Sequence, residues 1–413
     1  MRFPVAPLKH LAALPISNGV GEAAEFDDPG WPRYVRTTDI AGPRSLWDDT
    51  FRSLPPEVAK RASLKSGDLL MTAAGGVGKS TLYVSDNPAC YAGYLVRFRP
   101  RNEVDGRFVA YWAESQHFWD QIEVGKVVST IDNFSAGKYQ NLRCPSPSLP
   151  AQRAIADYLD TETARIDALI TKKQRMIELL ENRRLAAIET ALGGGRTAVS
   201  FILGDEQSAQ EPVPLKRLLI RTIAGGTPDS NDSSFWTDEA EGTAWVAIGD
   251  MLDSSTTTET VRRLTPAGLA AVRLRPAPAG TLLFAMYASL GKLTVSGMPC
   301  VWNQAILGLV PDDTKVDSEY LALWLEVLRQ HFGVLARSTT QDNLNAEQVG
   351  ALPIPNRPLE DQLRVVRQLR PSLTSISSST SLLVSQVDLL RERRQALITA
   401  AVTGELEIPG VAA

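Results

Sequence analysis

Cysteine and histidine are scarce in this chain, three of each in 413 residues: Cys90, Cys144 and Cys300, and His10, His117 and His331. No two cysteines form a CxxC pair and no His/Cys group has metal-ligand spacing, so the pattern excludes a disulfide framework and a zinc site. No stretch approaches the ~18 uninterrupted apolar residues of a membrane span. The short apolar run of MRFPVAPLKHLAALP is broken by His10 and bounded by prolines, unlike a secretory leader. A cytoplasmic protein with no membrane partner is expected. A basic excess is missing as well: 43 Lys+Arg face 47 Asp+Glu, a net charge of −4, which disfavours a generic polyanion binder. No nucleophile, base and orienter stand in a catalytic pattern, and the N/D-PP-Y/F tetrapeptide and glycine-rich cofactor loop of methyltransferases are absent. The chain itself is expected to be non-catalytic and to hold no cofactor or metal.

What the chain does contain is an internal repeat. APLKHLA (6–12) returns as VPLKRLL (213–219) at an offset of 207, and YVRTTDI (34–40) as WVAIGDM (245–251) at 211, with Asp39 over Asp250. GDLLMTAAGGVGK (67–79) returns as GTLLFAMYASLGK (280–292) at 213. From residue 129 the offset settles at 210: STIDNF over TTQDNL, Gln152 over Gln362, and LLENRR over LLRERR. Two units with so long a period are a duplicated two-part module rather than a solenoid.

The second part of each module reads as a long helix. After PSPSLPAQ, residues 151 to about 192 lack proline and glycine, and Thr163, Ile166, Ile170, Lys173, Ile177, Leu180, Arg184 and Ala187 alternate spacings of three and four, a heptad seam. The second copy puts Leu373, Ile376, Thr380, Leu383, Val387, Leu390, Arg394 and Leu397 on the same seam. Pro371 is expected to break the second helix into a short piece (about 358–369) and a longer one. A single apolar stripe needs a partner, and the intervening globular part suggests antiparallel pairing of the two copies. The resulting boundaries are a globular part over 1–150, a helix over 151–195, a linker over 196–212, a second globular part over 213–356 and a helix over 357–408. ACYAGYLVRF (89–98) and AILGLV (305–310) read as strands and EYLALWLEVLRQHF (319–332) as an amphipathic helix, so each globular part is mixed α/β.

GGVGKST (75–81) looks like a phosphate-binding loop but has Ala73 where a Walker motif needs its first glycine, and a strand-like segment follows where a helix is required. Two readings stand: a structural hairpin turn, or a turn whose lysine, Lys79 and its repeat Lys292, contacts a phosphate backbone. TIDNF and TQDNL likewise admit base-edge reading by side chains such as Asn133, Gln341 and Asn343, or helix capping by the two asparagines. Residues 1–150 carry 17 basic and 16 acidic side chains against 11 and 16 in 211–356, so the first globular part is the better polyanion binder by charge. Its Arg33, Arg36, Arg97, Arg99 and Arg101 lie beside aromatics, either as base- and phosphate-reading forks or as a solvated strand face.

Two divergent globular parts, two matching helices, GDLL…GK, a TxxDN segment and LPIPNRPLEDQLRVV together resemble the specificity subunit of a type I restriction-modification system over essentially the whole chain. The strongest stretch is TTQDNLNAEQVGALPIPNRPLEDQ (339–362); the first copy departs from it with Ile131 in place of Gln341 and Arg143-Cys144 in place of Pro353-Ile354. The resemblance implies two target recognition domains, each reading half of a split double-stranded DNA sequence, on paired helices that act as ruler and docking surface. It implies as partners two methyltransferase (modification) subunits and restriction/translocase subunits, with S-adenosylmethionine, ATP and Mg on those partners. Candidate DNA contacts are Arg33, Arg36, Thr37, Lys79, Asn133, Tyr287, Ser289, Lys292, Gln341 and Asn343. Candidate coiled-coil and docking positions are Ile166, Ile170, Ile177, Leu180, Ile376, Leu383, Val387 and Leu390. The alternatives are a specificity module of a fused methyltransferase-nuclease system and a coiled-coil scaffold that does not bind DNA.

Overall fold

A computed structural model describes residues 2–126, 133–193, 212–252, 255–287, 289–332 and 343–411. The chain divides into two compact units, one of residues 1–175 with 383–413 and the other of residues 176–382. The boundaries fall inside two long helices, Leu149–Leu192 and Leu359–Thr403, so each helix contributes to both units.

The first unit holds a four-stranded antiparallel sheet in the order Ser17–Asn18, Leu95–Phe98, Leu69–Thr72, Ser80–Leu82. Its four central positions, Leu69 to Thr72, are all buried, as befits an inner strand covered on both faces. The helix Gly106–Glu114, capped by Asp105, packs Phe108 and Trp112 into the same core. Ile155 and Leu159 of the first long helix join that core, and so do Ile398 and Val402 of the second. The second unit repeats the scheme. Phe284, Leu307 and Trp324 pack with Ile188 and Leu192 of the first long helix and with Leu369 and Leu373 of the second.

The repeat read from the sequence is realised as strand register. Leu69, Leu70 and Met71 pair with Leu82, Thr81 and Ser80; at an offset of 213, Leu282, Leu283 and Phe284 pair with Val295, Thr294 and Leu293. Val5 opposite Pro145 becomes Pro212 opposite Pro355, the offsets of 207 and 210 meeting across one ladder. Tyr34 beside Cys90, in a parallel pair, becomes Trp245 beside Val301.

In the first unit the two helices pair antiparallel: Lys173 Nζ donates to Gln386, and Arg394 Nε donates to Asp167 Oδ1 at 3.0 Å, so numbers rise on one helix as they fall on the other. Along the seam Ile166, Ile376, Leu383 and Val387 are buried, while Ile170, Ile177, Leu180 and Leu390 are half-buried. Pro371 does not break the second helix, which runs unbroken through it. Leu369 and Leu373 flank the proline and are anchored in the second unit's core, and that burial outweighs the hydrogen bond the ring removes. The first helix begins at Leu149, two residues before the expected start, because Pro150 sits in the first turn, where a missing N–H costs nothing. Most of the linker expected over 196–212 lies outside the described residues.

Candidate nucleic-acid interface

The glycine segment of the first unit forms a tight turn between strands Leu69–Thr72 and Ser80–Leu82. Gly75, Gly76 and Gly78 have φ of 71°, 102° and 90°, left-handed values that favour glycine. Gly78 is needed for space too: a Cβ there would lie 2.7 Å from the Trp119 ring. Three backbone bonds close the turn: Thr72 N to Lys79 O (2.9 Å), Gly78 N to Thr72 O (3.3 Å) and Lys79 N to Gly76 O (3.2 Å). The buried Tyr139 hydroxyl braces it, donating to Thr72 O at 2.8 Å and accepting from Gly78 N at 3.2 Å. With a strand after Ser80 instead of a helix, the segment is a hairpin turn and not a Walker loop.

The second unit reproduces the turn. Ala285 N bonds to Lys292 O, Gly291 N to Ala285 O and Lys292 N to Ser289 O, each at 2.9 Å. Ser289 takes the place of Gly76 and keeps its left-handed backbone, with φ of 114°. The two lysines then differ. Lys79 is exposed, whereas Lys292 is half-buried and donates to Ile248 O at 3.2 Å.

Other segments converge on each turn. In the first unit, Ala73 O accepts from Phe134 N and Ala73 N donates to Tyr94 O, both at 2.8 Å. The short helical turn Thr37–Asp39 lies alongside, with the Thr37 hydroxyl 3.9 Å from where a Gly75 Cβ would be. Trp47 N donates to Asp39 O at 2.8 Å. This edge therefore gathers Thr37, Lys79 and the exposed Asn133 with Trp47 and Tyr94, which are 54% and 68% exposed. In the second unit Met286 bonds to Leu344 and Ala305 in the same manner, and Tyr287, Ser289 and Asn343 lie along that edge. Gln341 lies outside the described residues.

Sequence reasoning missed Trp47 and Tyr94. Tyr94 was hidden inside what reads as one apolar strand, although Gly93 before it signals the actual break between Ala89–Tyr91 and Leu95–Phe98. The arginines beside aromatics are engaged within the fold. Arg36 forks onto Asp39, Nη2 to Oδ1 at 2.6 Å and Nε to Oδ2 at 3.1 Å, and Arg33 donates to Trp47 O at 2.5 Å. Arg99 forks onto the buried Asp68, Arg97 donates to Ser63 O and Arg101 to Ala12 O. Asn133 and Asn343 do not cap the short helices after them: Ser135 caps Ala136–Asn141, and Asn345 caps Ala346–Gly350, two residues later in each copy. The backbone of the residue after each asparagine is already bonded to the glycine-turn strand, so the helix starts beyond it.

Matching polar devices hold each edge to its helices. Gln152 and Gln362 are buried at the helix starts; their Oε1 atoms accept from Asp105 N and Asp317 N, both at 2.9 Å. Arg394 Nη1 pairs with Glu114 at 2.8 Å in the first unit, and Arg184 Nη2 with Glu326 at 2.9 Å in the second. Burial raises the Glu114 carboxyl above its ordinary range despite the opposing Arg394. One pair is inverted between the copies: Arg107 meets Asp160, whereas Glu319 meets Arg370. Among the described residues no group of three or more His, Cys, Asp or Glu could hold a metal, and no helix is long and apolar enough to cross a membrane. Cys90, Cys144 and Cys300 are all buried free thiols, and burial pushes the Cys90 thiol up to about 12.

Over 162 residues the chain is 23% identical to the type I restriction enzyme StySPI specificity subunit of Salmonella potsdam, covering 39% of this chain and 34% of that protein. It is also 23% identical over 162 residues to the EcoKI specificity subunit of Escherichia coli K12, covering 39% and 33%. The chain thus spans about a third of the length of the curated relatives it matches. A chain solved in work on complex assembly and conformational transition of a type I R-M system has the same fold, with a TM-score of 0.65 at 16% identity over 98% of this chain and 100% of that one. The model of the type I restriction modification DNA specificity domain matches twice, at residues 23–179 and 225–380, and with each match containing one glycine turn, the chain belongs to that family.

Proposed function

We propose that the protein is the sequence-reading subunit of a type I restriction-modification complex and that each globular part reads one half of a split double-stranded DNA target. The observation that carries this reading is the pair of congruent glycine turns, identical in hydrogen bonding at an offset of 213, each set at an edge with different side chains. Identical scaffolds with divergent tips are what two readers of unlike half-sites require. At the first edge Lys79 supplies a phosphate contact, while Thr37, Asn133, Trp47 and Tyr94 face the groove; at the second, Tyr287, Ser289 and Asn343 do so, and Gln341 is a further base contact proposed from the sequence alone. Arg33, Arg36 and Lys292 serve the reading indirectly, by holding these edges in shape.

In this reading the chain performs no chemistry. Two modification subunits dock on the paired helices and bring S-adenosylmethionine, and restriction subunits bring ATP and Mg. Two weak reads joined by a stiff spacer gain affinity through effective concentration when the half-sites are correctly separated. The test is single-molecule sequencing of modified bases in the native genome with and without this gene. Loss of methylation at one split motif on deletion is expected. Unchanged methylation, together with no sequence-selective DNA binding by the chain mixed with its modification subunits, overturns the reading and favours a scaffold.

A further inference from the structure

Three side chains of the first unit converge on Asp160, on the first long helix. Arg44 Nη1 and the Tyr111 hydroxyl donate to Oδ1 at 2.5 and 2.7 Å, and Arg107 Nη1 donates to Oδ2 at 2.8 Å. The Arg44 guanidinium also stacks 4.7 Å over the Tyr111 ring. Burial raises the Asp160 carboxyl, but the hydrogen bonds from Tyr111 and Arg44 prevail and hold it below the ordinary carboxylate range.

Arg44 differs from the other two donors in where it comes from. It sits in the turn between the paired strands Ile40–Gly42 and Ser45–Leu46, which continue directly from the Thr37–Asp39 turn. Beside it, Pro43 O accepts from Leu82 N at 2.7 Å, on the strand that leaves the glycine turn. Arg44 thus adds to the apolar core shared by the glycine-turn strands and the long helix a polar link, from the segment that carries Thr37 and meets the strand after Lys79, to a carboxylate on that helix.

The second unit is built differently at this point. At the place of Asp160 stands Arg370, paired with Glu319 at 2.5 Å with side chains 60% and 41% exposed, a weak surface bridge.

We propose that Asp160 is a positioning residue for DNA reading: through Arg44 it locks the first reading edge to the long helix and sets how sharply the protein discriminates the separation between half-sites. The inference rests on the function proposed above.

The test uses the full chain with Arg44→Ala, which leaves Asp160 its bonds to Arg107 and Tyr111 and so preserves the helix contact; Arg44→Lys is the conservative control and Asp160→Asn the second variant. Spin labels at Ala74→Cys and Leu169→Cys, with the three native thiols buried, report the distance between glycine turn and helix. A narrow distribution is expected for the parent and Arg44→Lys, and a broad one for Arg44→Ala and Asp160→Asn. With modification subunits bound, the affinity ratio between the split target and one lengthened by a base pair is expected to fall about tenfold in Arg44→Ala, with affinity for a single half-site unchanged. Unchanged width and unchanged spacing selectivity overturn the role while leaving the DNA-reading function intact. Failure of the parent complex to bind any split target overturns the function and this role together, a result recognisably different from the first.

Discussion

Lys79 and Lys292 occupy the same place in two congruent turns, yet only Lys79 points its charge outward. Lys79→Ala is therefore expected to weaken DNA binding about equally for all sequences and to reduce the slope of log affinity against log salt by ~1, whereas Lys292→Ala should leave the slope unchanged; titrations of the assembled complex at several salt concentrations check both. A second residue-scale expectation concerns pH. His117 Nδ1 accepts from Trp112 Nε1 at 3.0 Å, and burial lowers its pKa below the usual histidine value, so the folded state binds fewer protons than the unfolded chain. Stability is thus fully present above the unfolded histidine range of ~6.5 and is lost as pH falls through the lowered folded value. Thermal melts from pH 7.5 to about 5 should show this loss, and His117→Phe should show less of it. The candidate site was only partly legible at this scale. Glycine turns announce themselves because positive φ demands glycine, but nothing in WPRYVRTTD distinguishes an arginine that will fork onto Asp39 from one that will meet DNA.

Among the elements, the long helices were the most legible and Pro371 the most misleading. Proline inside a helix costs about 3 kcal/mol in isolation, yet the second helix continues through it because buried leucines on either side hold the backbone in place. Pro371→Ala should restore the bond to the Arg367 carbonyl and raise unfolding free energy by roughly 1 to 3 kcal/mol, measured by urea denaturation. The repeat offsets translated directly into strand registers, since an insertion confined to loops shifts numbering without altering which residues face each other. The parallel pairing of Arg33–Val35 with Ala89–Tyr91 was not legible, because three-residue strands carry too few positions for alternation to show. The capping residues Ser135 and Asn345 were misread by two positions, since the pull of the glycine-turn strand on the preceding backbone is a tertiary effect.

At the scale of the whole molecule, both long helices obey one seam with a constant offset of 210. A heptad inserted at corresponding points in both should preserve the seam and lengthen each helix by ~10 Å, which equals about three base pairs of duplex. The complex should then methylate the same two half-sites with a spacer about three base pairs longer, read by sequencing modified bases; retention of the original spacer would show that the helices do not set it. The inverted pair, Arg107 with Asp160 against Glu319 with Arg370, bears on ancestry as much as on stability. A gene rearrangement that trades one globular part for the other and cuts before residue 160 sets arginine against arginine in one place and carboxylate against carboxylate in the other. A cut beyond Asp160, carrying the first turns of the helix along with the domain, keeps each charge with its mate. The Arg184–Glu326 and Arg394–Glu114 pairs, alike in both copies, impose no such restriction. New specificities in this lineage should therefore be inherited as a domain together with the root of its helix, with the seam of recombination lying inside the coiled coil rather than at the domain's edge.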